Sequence, residues 1–155
     1  MSPEARRAFA ARWFMWAAAI PCGLVLAVVL LNEWLNSPLN FLLYVLVLFV
    51  VPIHIARGWG AWLGAAILDP SATQGAGVAA LRGAAVAGAS FVTYLFALSL
   101  CFGSFSSSPV ENALNLFILL MVGGTILVGW LVVAVGALAG GLLYGKAGGG
   151  TPPAE

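Results

Sequence analysis

Apolar and polar residues fall along this chain in long blocks, not in the short alternation of a strand or the one-sided stripe of a surface helix. Four apolar stretches, about 13–31, 39–56, 79–102 and 113–138, are separated by short polar breaks. Each comes near the roughly 20 residues that an α-helix needs to cross a hydrocarbon core of about 30 Å. The pattern predicts an all-α integral membrane bundle of four transmembrane helices in a single domain over 1–147. A short interfacial segment is expected between helices 2 and 3. The Gly/Pro-rich end at 148–155 is expected to be a disordered tail.

The breaks carry helix-start signals. Ser2-Pro3, Ser37-Pro38 and Ser108-Pro109 each put an N-cap residue before a proline at the first helical position. Asp69-Pro70, followed by Ser71 and Gln74 in a capping-box arrangement, is expected to open the third helix. Pro21 and Pro52 are expected to kink their helices, and Arg57 to close the second. Residues 58–68 contain Trp59 and Trp62, which suit a membrane interface. This segment is expected to continue the second helix or to lie flat in the headgroups. The fourth apolar run reaches Tyr144, which is long for one crossing. Gly136, Gly140, Gly141 and Gly145 predict that its end bends, frays or leaves the bilayer.

The stretch 71–102 stands out for its small residues. At four-residue spacing, Ala72, Ala76, Ala80, Ala84 and Gly88 form one stripe, and Gly75, Ala79, Gly83 and Ala87 form its neighbour. Such stripes let helix backbones approach closely in lipid, so this helix is expected to be the central packing element. Gly129, Gly136 and Gly140, with Gly123 and Gly124, are expected to form a facing surface, against the third helix or another copy of the chain. Gly60 and Gly64 make a further small-residue pair.

Composition sharpens the class. The chain is 63% hydrophobic and 7% charged, with a mean hydropathy of +1.07, whereas soluble domains carry about 25% charged residues. A net charge of +1 provides no basic footprint for nucleic acid. Arg6, Arg7, Arg12, Arg57, Arg82 and Lys146 all fall on one side of a four-span arrangement. The positive-inside rule therefore predicts N-in/C-in topology, in what is expected to be a bacterial cytoplasmic membrane. The Arg6-Arg7 pair loosely echoes a twin-arginine signal, and Cys22 a lipoprotein box. The long apolar run and Pro21 before the cysteine argue for a retained first helix instead.

Chemistry is sparse. A charged group near a helix centre costs about 2.5 to 3.5 kcal/mol on insertion scales and usually marks function, and no span has one at its middle. Cys22 and Cys101 lack metal or redox spacing. No catalytic or metal set is expected, and no cofactor is predicted outright. His54 is the one candidate cofactor ligand, for a haem or pigment stacked near Trp59; its plainer role is a bond to backbone or headgroup. Arg57, Asp69 and Arg82 read as a charged gate or docking patch, or simply as topology anchors. Ser90, Thr93, Tyr94 and Ser99 either line a polar path or bond to neighbouring backbone. The expectation is a non-enzymatic structural or interaction subunit of a larger membrane complex, with the lipid bilayer and other subunits or copies of itself as partners. A passive homo-oligomeric channel or carrier for a neutral solute, and a pigment-binding subunit, are the alternatives.

Overall fold

The structure, a computed structural model, describes residues 1–33, 38–69, 71–73, 75–104 and 108–147. The expected tail at 148–155, Ser37 and Gln74 lie outside the described residues. Among the described residues the regular structure is entirely helical, and four helices are long and apolar enough to cross a membrane.

The first span is α1 (Pro3–Glu33), which continues through Pro21 without a break. It opens at the expected proline, and the Ala5 N–H donates to Ser2 Oγ at 3.2 Å. The second span joins α2 (Pro38–Val45), a π-helical turn Leu46–Val50 and α3 (Val51–Trp62). Arg57 therefore does not close it, and residues 58–62 continue the helix. A 3₁₀ turn, Gly64–Leu68, connects it to the third span. The third span is α4 (Ala76–Gly103). The fourth joins α5 (Pro109–Gly124), a second π-helical turn Thr125–Gly129 and α6 (Trp130–Lys146).

Two further expectations are corrected. The third helix begins at Ala76, not at Ser71. The Asp69 carboxylate accepts both the Ser71 N–H (3.1 Å) and the Ser71 hydroxyl (2.7 Å), and the Asp69 carbonyl accepts from Ala72 and Thr73. Ser71 is thereby held in a turn of its own and does not cap a helix. Of the bend, fray or exit from the bilayer expected at the end of the fourth span, the fray is overturned. The span stays helical to Lys146, and its irregular turn lies earlier, at Thr125–Gly129. Gly136 and Gly140 are buried between helices, where absence of a side chain permits contact and does not loosen the helix.

The spans assemble as two antiparallel hairpins. In the first, α1 lies along α2 and α3, with Gly23 facing Phe49 and Gly60 facing Phe14. In the second, α4 packs against α6 over its first half and α5 over its second, where Gly103 meets Ala113. The hairpins join most tightly at the end of the bundle carrying the N-terminus. There Ala10, Phe14, Ile67, Ala79, Val86, Ala139 and Leu143 form one buried cluster. The 3₁₀ turn inserts Ile67 into this cluster against α1, α4 and α6.

Candidate functional site

Helix contact in lipid gains little from apolar burial, because lipid tails are as apolar as leucine; close van der Waals fit has to supply the attraction. The seam between α4 and α6 shows the requirement met. A Cβ built on Gly83 would strike the Gly136 carbonyl oxygen and lie 2.7 Å from Gly140 Cα. One on Gly136 would strike Ala87 Cβ and lie 2.6 Å from the Gly83 carbonyl oxygen; one on Gly140 would strike the Ala79 carbonyl oxygen. Ala79, Gly83 and Ala87 thus interlock with Gly136 and Gly140.

The other small residues are placed differently. Gly75 sits before the helix and Ala76 is exposed in its first turn. Ala80, Ala84 and Gly88 lie beside the seam, and a Cβ on Gly88 would meet nothing within 4 Å. Gly129 is buried, but its nearest atoms belong to its own helix, at Thr125 and Gly124. A second seam has Gly60 and Gly64 against Ala10 and Phe14: a Cβ on Gly60 would lie 2.8 Å from Phe14 Cβ. The four-residue spacing of Gly60 and Gly64 was its sequence signal.

The polar residues are used internally. Arg82 donates to the Ala66 carbonyl at 2.6 Å, Thr73 Oγ1 at 2.8 Å and the Ala72 carbonyl at 2.8 Å. The Thr73 hydroxyl donates to the same Ala66 oxygen at 2.7 Å. One guanidinium therefore ties the 3₁₀ turn and the loop after it to α4. Asp69 pairs with Arg6 at 2.8 Å, bridging loop and α1. The two Ser71 hydrogen bonds and this cation hold the Asp69 carboxyl below its ordinary pKa. Arg57 is exposed. Trp13 donates its indole N–H to the Ala139 carbonyl at 2.9 Å and lies under the Lys146 ammonium, 4.7 Å from the ring centre, so both side chains join α1 to α6.

The hydroxyls of α4 also find partners within the chain. Ser90 donates to the Val86 carbonyl, Thr93 to the Ala89 carbonyl and Ser99 to the Phe96 carbonyl. Thr93 also accepts the Trp59 indole N–H at 2.9 Å. Among the described residues, no buried side-chain polar atom lacks a hydrogen-bond partner.

Tyr94 makes the most specific of these bonds. In the π-helical turn, the Val51 N–H reaches back five residues to the Leu46 carbonyl. The next donor in that register would be residue 52, serving the Val47 carbonyl, but Pro52 has no N–H. The Tyr94 hydroxyl donates to that carbonyl at 3.0 Å, from the other hairpin.

His54 is exposed, with Nδ1 2.9 Å from the Val50 carbonyl four residues earlier. If Nδ1 carries the proton for this bond, Nε2 is left as an acceptor. Trp59 is engaged elsewhere, on Thr93 and against the Trp62 ring at 5.3 Å. Among the described residues, no three His, Cys, Asp or Glu side chains converge as a ligand set. Comparison with protein-family models, curated proteins and solved structures finds no match to this chain.

Proposed function

We propose that the chain is a small polytopic subunit or assembly partner of a larger membrane complex, recruited by helix packing within lipid. The observation that carries this reading is the open small-residue platform beside the α4–α6 seam. In an antiparallel pair, stepping one residue past the seam on each helix reaches the same side of the pair. Ala80, Ala84 and Gly88 of α4 therefore border the seam together with Ala137 and Gly141 of α6. A Cβ on Gly88 or Gly141 would meet nothing within 4 Å. The platform offers an incoming helix the close approach that Gly83 and Gly140 offer each other.

The internal use of the α4 hydroxyls favours assembly over a solute path through one chain. The segregation of all six basic residues supports both termini in the cytoplasm of a bacterial inner membrane. The partner surface is another membrane protein, with or without further copies of this chain, and the reading involves no catalysis.

The test is native mass spectrometry of the chain extracted from its own membrane in mild detergent. The wild type is expected to travel with other polypeptides. Gly88→Leu and Gly141→Leu should extract normally, because space is open at both positions, yet lose those companions. A wild-type mass at 16.0 kDa alone would overturn the reading. A pure multiple of that mass would redirect it to a self-assembled carrier, to be examined by solute flux in liposomes.

A further inference from the structure

Between the two hairpins lies an elongated apolar cavity of about 300 Å³. It runs from Phe14 to Val25 along α1, and from Ala139 in α6 to Val128 in the adjoining π-helical turn. Twelve residues on each wall, eleven helical steps of about 1.5 Å, give it a length of ~16 Å. An apolar cavity of ~150 Å³ holds benzene, so this one has room for roughly twelve carbons.

The walls are almost wholly apolar, and their polar side-chain atoms are the Cys22 thiol and the Ser90 and Tyr94 hydroxyls. The Ser90 and Tyr94 hydroxyls that border the cavity already donate to backbone carbonyls. Apolar cavities of this kind exclude water, and an empty one forfeits the dispersion contacts of its lining. The cavity also opens sideways. The Trp13–Ala139 bond joins α1 to α6 near the N-terminal end of the bundle. Farther along the cavity, Val25 and Leu131 are 52% and 47% exposed. The two π-helical turns flank the same depth: Val47 bonds Tyr94, while Gly124, next to the second turn, packs on Phe91 and Leu95. Such turns concentrate at functional sites.

We propose that this cavity seats one acyl chain of a bilayer phospholipid, entering laterally between α1 and α6 with its headgroup left outside. The site is separate from the platform beside the seam and does not depend on it.

The test uses full-length protein incubated with a phosphatidylglycerol carrying a 9,10-dibromostearoyl chain. Native mass spectrometry at rising activation energy strips loosely held lipid, and bromine anomalous scattering from crystals locates the chain. Wild type and the control Leu81→Phe, at an exposed site, should each retain one lipid, with bromine inside the cavity. Ala18→Phe and Val132→Phe, which fill the cavity from opposite walls, should lower that retention at least ~fivefold. Equal retention in the filled variants, no lipid surviving on the wild type, or bromine only on the outer surface would each overturn the proposal. Should a filled variant fail to fold, the bromine position in the wild type decides alone.

Discussion

The Tyr94 hydroxyl serves the Val47 carbonyl, the acceptor that Pro52 leaves without a backbone donor. A side chain of one hairpin thus completes the backbone of the other. Tyr94→Phe should destabilise the bundle by about 1–2 kcal/mol, because a carbonyl in apolar surroundings loses its partner. Pro52→Ala restores an N–H in the right register, so Tyr94→Phe should cost much less in that background. Denaturation of the four proteins of this double-mutant cycle in mild detergent measures the coupling. A coupling of zero would show that the bond adds nothing to the helix irregularity.

The α4–α6 seam predicts a contrast between neighbouring glycines. Gly83→Ala puts a methyl group onto the Gly136 carbonyl and should cost about 1–3 kcal/mol or more, since backbone must move. Gly88→Ala, five residues on, meets open space and should be neutral or slightly stabilising through its better helix propensity. Thermal unfolding of the two variants checks this directly, and equal melting temperatures would contradict the packing.

Arg82 predicts a local effect. Its guanidinium reaches two carbonyls and a hydroxyl at once, a geometry that an ammonium cannot reproduce. Arg82→Lys should therefore recover only part of what Arg82→Ala loses, which we place at about 1–3 kcal/mol. Limited proteolysis across 69–75 should speed up in the order wild type, Arg82→Lys, Arg82→Ala.

Asp69 predicts an acid-sensitive joint. Its pKa is lowered in the folded protein, first by Ser71 and then by Arg6. The unfolded chain therefore binds the proton more readily. The stabilisation is complete above the ordinary carboxylate range near pH 4 and is lost as pH falls through the lowered folded value. Asp69→Asn should flatten that part of the stability profile while leaving the neutral to alkaline side unchanged in shape. Melting temperatures from pH 3 to 7 measure it, and identical profiles for the two proteins would remove Asp69 from the account.

Much of the architecture is legible in the chain itself, because lipid imposes a simple demand. A spanning helix must be apolar along its whole length and must satisfy its own backbone, so spans announce themselves as uninterrupted runs. Ser2-Pro3, Ser37-Pro38 and Ser108-Pro109 precede helices that begin at the proline in each case. The hydroxyls of α4 bond to backbone within the chain, the plainer of their two readings.

Other features belong to tertiary structure alone. The sequence displays two small-residue stripes on α4, one residue apart and nearly equivalent in composition. Only the docking of Gly136 and Gly140 selects Ala79, Gly83 and Ala87 for the seam and leaves Ala80, Ala84 and Gly88 beside it. The capping signal at Ser71 was overridden by a nearer acceptor, Asp69, itself held by Arg6 from a helix about sixty residues earlier in the chain. The bond between Tyr94 and Val47 spans 47 residues, and the cavity exists only where four spans fail to fill the space between them. Local pattern determines where helices form because each helix closes its own hydrogen bonds. Which faces meet, and what space they leave, is decided by shape complementarity between segments that are far apart in sequence.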